Sequence, residues 1–279
     1  MSLLGCLVIT EGYIVAYLAT KLQKESYTIS RAFMATALAI LVGYLAIFLI
    51  YQTAEANGQD ILSIPPKPLS IFVLFVLTIV VVAVVAYLLG LNGLAAFGLG
   101  FESNWWAYYG LGLVLGMAVQ AVLERIGIYF QVRQVANFHF DAAHLIRHFL
   151  WILFANFPAA TAEDLLTRGY VFHFMRDQPL IAFVTLSALL YVLNHIIRLA
   201  TKPVTDWFYL PFVGLTLAYA LARTGSLWLV IGLHQSINVT FYMMQQMMDV
   251  KTTTNTRRRI TYGIAAELIF LLTVVLVLR

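Results

Sequence analysis

The chain has 279 residues, 62% of them hydrophobic and 11% charged, with a mean hydropathy of +0.87. Soluble domains carry about 25% charged residues, so a water-facing globule is excluded and a polytopic membrane protein is left. The formal charge of +4 fits Lys- and Arg-rich cytoplasmic loops beside a lipid bilayer and excludes nucleic acid as a partner; the single cysteine, Cys6, excludes an internal disulfide and a cysteine-based metal cluster.

A membrane-spanning helix needs about 20 apolar residues. Runs of that kind lie near 2–20, 32–51, 70–90, 105–123, 145–167, 180–198, 207–222, 226–247 and 259–278. They predict an all-α transmembrane bundle of eight or nine membrane helices. The first run lacks the marks of a cleavable signal, because Glu11 interrupts it and no small-residue cleavage site follows. Cys6 reads as a buried thiol. Asn57-Gly58, Pro65-Pro66-Lys67-Pro68 and Thr201-Lys202-Pro203 supply turns. Trp105-Trp106 with Tyr108-Tyr109 reads as an interfacial aromatic belt. Segment 124–148 mixes charge with aromatics and reads as an interfacial amphipathic stretch. Pro158 either kinks the run at 145–167 or starts a new helix within it. No repeat or linker divides the chain, so residues 1–279 form one integral-membrane domain. Lys21, Lys24 and Arg31 in the first loop, and Lys251 with Arg257-Arg258-Arg259 in the last, both belong on the cytoplasmic side. Nine full crossings would separate them, so one apolar run is not a simple span or one loop breaks the charge rule.

Ionisable groups at membrane depth cost roughly 2.5–3.5 kcal/mol each and usually carry function. Three clusters stand out: Glu163-Asp164-x-x-x-Arg168-Gly169, Tyr191-x-x-x-His195 with Asn194 beside it, and His234-x-x-x-Asn238. Asp164 and Arg168 are four apart with the acid first, the better orientation for a helical pair. Glu163 lies about 100° round the helix without a local partner, which suits a general base or acid. His234 and Asn238 share a helix face and can aim two donors at one point. Tyr191, one turn before His195, can wall the same cavity. A carboxylate with a histidine can activate water, and a second histidine with an amide can stabilise an oxyanion. Together they make a peptide-bond hydrolase inside a membrane.

Simpler roles compete at each position. Glu163 can be a structural charge, Asp164 and Arg168 an ion pair, and His234 and Asn238 interhelical glue. Tyr191 and Asn194 can be packing. The spacing of His144 and His148 permits a shared metal ion, although an interfacial helix face accounts for them, and for His139, more simply. His173, Glu11 and Glu102 read as helix-end residues, and Met243, Met244, Met247 and Met248 as core packing.

The three motifs resemble those of the CPBP family, the CAAX-processing and bacteriocin-processing (Abi) intramembrane endopeptidases. That family's Glu-Glu-x-x-x-Arg, Phe-x-x-x-His and His-x-x-x-Asn read here as EDLLTRG at 163–169, YVLNH at 191–195 and HQSIN at 234–238. The lead-in TGSLWLVIGLH, Thr224 to His234, is also similar. The likeness covers about 155–240. It implies Glu163 as water activator, His195 as its helper, and His234 with Asn238 as oxyanion hole, with Asp164, Arg168 and Tyr191 in support. It further implies no metal or other cofactor, a peptide or protein substrate reached from the membrane, and a prokaryotic plasma membrane as the location. Asp164 stands where the family prefers a second Glu, and Tyr191 where it prefers Phe. Asp keeps the charge with a shorter reach; Tyr adds a hydroxyl that needs a partner when buried.

The signatures His-Glu-x-x-His, Gly-x-Gly-Asp and Gly-x-Ser-x-Gly do not occur in the chain. Zinc held by Glu163, His195 and His234 with an open fourth position is the metal-dependent alternative. A non-proteolytic immunity or partner-binding protein of the same fold is the non-enzymatic one. A proton-coupled transporter ranks below both, because no inverted repeat is visible. Substrate identity and oligomeric state stay open.

Overall fold

The computed structural model describes residues 68–279, except 89, 102–103, 140 and 196–203. The first two expected spans, the first basic loop, Cys6, Glu11 and Glu102 lie outside the described residues. Beyond residue 68 every expected apolar run is helical: α1 is Pro68–Leu88, α2 Trp105–Tyr129, α3 Ala142–Asp164, α4 Tyr170–Phe174, α5 Leu180–His195, α6 Leu210–Thr224, α7 Leu227–Met247 and α8 Thr256–Val277. The sheet among the described residues is a two-stranded antiparallel ribbon, β1 (Arg133–Phe138) with β2 (Met248–Thr252). The fold is thus all-helical and of membrane type, with a ribbon at one end. Among the described residues, α2, the helical run Ala142–Phe174 and α8 are long and apolar enough to cross a membrane. Helix α6, at 15 residues, is shorter than the roughly 20 that a span requires, and 16 residues of α5 are described.

The centre of the fold is the crossing of α2 and α7. Their backbones meet where neither helix carries a side chain. A Cβ on Gly112 would meet the Leu229 carbonyl, and one on Gly232 would sit 2.8 Å from the Leu113 nitrogen. One turn further, Gly116 faces Ser236. Small residues four apart on both helices allow this approach, as in membrane helix pairs generally. Leu229, Ile231 and Leu233 of α7 are fully buried around it.

At the end away from the ribbon, the lead-in Thr224-Gly225-Ser226 makes the turn between α6 and α7. Gly225 adopts a φ of 64° and returns its N–H to the Leu221 carbonyl at 2.7 Å, the left-handed cap that glycine adopts at low cost. Leu227 N–H donates to the Gly98 carbonyl at 2.8 Å, and Trp228 Nε1 to the Gly100 carbonyl at 2.8 Å. The aromatic pairs expected as a belt are divided: Trp106 is exposed, whereas Trp105 packs on Trp228 with ring centres 4.7 Å apart.

The stretch 124–148 is not one amphipathic element. Residues to Tyr129 complete α2, Gln131 turns the chain at a φ of 55°, β1 follows, and Asp141 starts α3 by accepting from the His144 N–H at 3.2 Å. The mixed charge and aromatics arise because three short pieces with different neighbours are joined there. Across the ribbon, Asn137 Nδ2 donates to Asp249 at 2.8 Å and His139 Nε2 lies 3.3 Å from the same oxygen. These hydrogen bonds, Asn137's first, hold the Asp249 carboxyl below the ordinary aspartate value. The tie is therefore kept above the ordinary range and lost as pH falls through the lowered one.

Gly232→Leu should force α2 and α7 apart and destabilise the protein by about 1–3 kcal/mol or more, read as thermal unfolding in detergent. Gly110→Ala on the same α2, where an added Cβ meets nothing within 4 Å, should be neutral or stabilising by up to about 1 kcal/mol.

Candidate active site

Helix α3 carries the first motif to the bundle interior. The chain passes Pro158 without a break, and Thr161 Oγ1 bonds back to the Phe157 carbonyl at 2.8 Å. Immediately after Glu163-Asp164 the helix widens into a π turn, Leu165–Gly169. A π turn leaves carbonyls off the regular ladder. Hydroxyls take them up: Thr167 Oγ1 donates to the Glu163 carbonyl at 2.7 Å, and Ser187 Oγ of α5 donates to the Thr167 carbonyl at 2.9 Å. Gly169 closes the turn against Phe97, whose carbonyl would lie 3.0 Å from a Cβ there.

This turn aims Asp164 and Arg168 at each other, both with side chains at 0% exposure. Arg168 Nη1 bonds to Asp164 Oδ1 and donates to Thr167 Oγ1 at 3.0 Å. The guanidinium lies 4.6 Å from the centre of the Tyr191 ring. Asp164 Oδ1 also takes His234 Nδ1 of α7 at 3.2 Å. A carboxylate only accepts, so His234 carries its hydrogen on Nδ1 and turns Nε2 away from Asp164. That Nε2 lies 3.8 Å from Glu163 Oε2. One imidazole is thus held between two acids: Asp164 fixes the ring, and Glu163 faces its other nitrogen.

His195 joins through Tyr191. Its Nδ1 donates to the Tyr191 carbonyl at 2.9 Å, which makes Nε2 the ring's proton-accepting nitrogen. Tyr191 packs on His195 with ring centres 4.5 Å apart and on His234 at 6.0 Å, edge to face. Glu163, Asp164, Arg168, Tyr191, His195 and His234 therefore form one cluster from α3, the π turn, α5 and α7. Asn238 is half-buried one turn beyond His234, and Asn194 is also half-buried. Among the described residues, no three His, Cys, Asp or Glu side chains are grouped as metal ligands. His144 and His148 stack ring on ring at 4.4 Å. His173 lies against the Ala96 carbonyl at 3.1 Å.

Sequence reasoning passed over several supporting groups. Tyr109 donates to Gln235 at 2.6 Å, and Gln235 donates onward to the Leu153 carbonyl, locking α7 between α2 and α3. Glu267 of α8 is 8% exposed, and its Oε2 has no hydrogen-bond partner among the described residues. A lone acid in the apolar run AAELIFLL was the signal for it.

Apolar helices closed around buried acid, guanidinium and imidazole groups define an integral membrane protein with a polar centre. Residues 145–240 match the model of the Rce1-like family, described as type II CAAX prenyl endopeptidase. The match takes in about a third of the chain and supports a protease-type enzyme. The resemblance to the CAAX-processing endopeptidases is borne out over those residues, which take in all three motifs. No curated protein and no solved structure matches the chain.

Arg168→Ala leaves Asp164 buried with half its partners gone. It should destabilise the protein by about 3–5 kcal/mol, measured by unfolding in mixed micelles. Stability equal to the parent chain would contradict the ion pair's structural role.

Proposed function

We propose that the chain is an intramembrane endopeptidase that cleaves a peptide bond close to the membrane, with Glu163 and His195 activating water and His234 and Asn238 stabilising the oxyanion. The observation that carries this reading is the 3.8 Å approach of Glu163 to His234 Nε2, with Asp164 on the ring's other nitrogen. Ionised Glu163, helped by His195, takes a proton from water. The hydroxyl oxygen bonds to the peptide carbonyl carbon, and negative charge collects on the carbonyl oxygen. Donors facing that oxygen stabilise it more than they stabilise the planar amide. Because Asp164 holds the Nδ1 hydrogen, His234 can donate from Nε2 as well only when the ring carries both protons. The Asn238 amide is the second donor. The intermediate collapses as the proton on Glu163 passes to the amide nitrogen; the C–N bond breaks, and an acid and an amine leave. The substrate is a peptide reached from the membrane, and hydrolysis proceeds without a metal. A prokaryotic plasma membrane is the location this reading carries with it.

Membranes bearing the parent chain, compared with Glu163→Gln membranes by unbiased peptide profiling, should differ in a defined set of cleaved peptides. Glu163→Ala, His195→Ala and His234→Ala should each abolish cleavage with insertion intact. Asn238→Ala should slow turnover by about 10²–10³ if it supplies one donor. Full function with Glu163→Gln would favour the immunity or partner-binding role instead. A chelator should leave the purified protein active; loss that zinc restores would favour the zinc reading.

A further inference from the structure

The geometry points to Gln235 and Tyr109 as positioning residues that hold the His234 ring between Asp164 and Glu163. The inference deepens the hydrolytic reading above and rests on it for its effect on turnover. Gln235 follows His234 on α7 and is fully buried. Neighbouring residues on a helix point about 100° apart, so the two side chains leave α7 in different directions. His234 Nδ1 reaches Asp164 at 3.2 Å. Gln235 reaches two other helices. Its Oε1 accepts from the Tyr109 hydroxyl of α2 at 2.6 Å, and its Nε2 donates to the Leu153 carbonyl of α3. Tyr109 is held in turn by an edge-to-face contact with Phe157 of α3, ring centres 6.0 Å apart.

These ties act where the surrounding packing is permissive. The crossing at Gly112, Gly116 and Gly232 sets how closely α2 and α7 approach, but glycine has no side chain to resist rotation of a helix about its axis. Ser236, on the same face, turns its hydroxyl to the Leu233 carbonyl of its own helix at 2.6 Å. On α3, Pro158 has no N–H to offer the Phe154 carbonyl, so the ladder is one bond short beside Leu153. Gln235 thus joins α7 to α3 in the turn that the proline weakens, and Glu163 follows about 15 Å further along α3 at 1.5 Å per residue. A side chain reaches about 5–6 Å from the helix axis, so a rotation of about 10° carries its tip about 1 Å. The gap between His234 Nε2 and Glu163 Oε2 is 3.8 Å, and one more ångström parts them. Misplacement on that scale costs about 10²-fold in rate. The bond to Asp164 is one fixed point on α7. Gln235 is a second, on a different face, and together they stop the helix turning.

The test uses the full chain in bilayers with its six histidine rings labelled with nitrogen-15. The His234 signal is assigned by its loss in His234→Ala. In the parent chain His234 should carry its hydrogen on Nδ1. Gln235→Leu makes neither bond and should show both tautomers. Gln235→Glu stays neutral in an apolar interior, keeps one donor and one acceptor, and should restore the parent signal. On a peptide found by the membrane profiling, Gln235→Leu should lower kcat by about tenfold or more with KM within about twofold. Tyr109→Phe removes one bond and keeps the ring on Phe157; it should show the same mixing to a smaller extent, with parent-like unfolding. A tie that only stabilises the bundle would lower the unfolding temperature and leave the tautomer and kcat as in the parent, and that result overturns the proposal. Where Gln235→Leu does not fold, Tyr109→Phe decides: a parent-like His234 signal there overturns it as well. The spectrum does not depend on cleavage. Should Glu163→Gln cleave normally, the hydrolytic reading falls while the His234 signal still decides whether Gln235 sets the ring.

Discussion

The architecture turns on a guanidinium enclosed by the protein. Arg168 is fully buried, and its charge is met by Asp164, one helical turn before it. Removing two charges from water carries a penalty that their attraction offsets only with good geometry and further hydrogen bonds. Thr167 supplies one, the Tyr191 ring lies against the guanidinium and His234 bonds to Asp164, while Arg168 Nε and Nη2 and Asp164 Oδ2 have no hydrogen-bond partner among the described residues. The pair is local in sequence, but its supporting groups come from α5 and α7. One ion pair therefore fixes how three parts of the bundle sit together, and a chain that failed to bring in α7 would leave the charges short of partners.

The π turn follows from the same constraint. In a regular α-helix, Asp164 and Arg168 share a face while Glu163 lies about 100° away. Widening the helix just after Asp164 lets the pair close while Glu163 still reaches His234 Nε2. The displaced carbonyls would be costly in an apolar interior. Thr167 and Ser187, which attract no notice as catalytic candidates, satisfy them. The hydroxyls are thus part of the site's scaffold although they touch none of its reacting atoms.

Legibility in the sequence tracked how local each interaction is. Apolar runs marked the helices, because burying a helix in lipid needs only composition and length. The Asp164–Arg168 pair and the shared face of His234 and Asn238 were readable from spacing four. Three motifs in order carry the resemblance to the family over 145–240. What could not be read depends on pairings across long separations. The ribbon joins residues more than a hundred positions apart, each strand short and exposed, so 124–148 carried no strand signal strong enough to set against its charges. The tie of Asp164 to His234 crosses 70 positions. Glu267 drew no reading from the sequence, because a single acid within AAELIFLL has no patterned partner in its own helix.

The two departures from the family pattern gain physical sense once the neighbours are known. A shorter acid at 164 lies close against Arg168 and still accepts from His234 Nδ1, so the lost methylene keeps both contacts. At 191 an aromatic ring does the packing, under Arg168 and against both histidines, and phenylalanine would serve equally there. The added hydroxyl asks for a polar environment that packing alone does not provide.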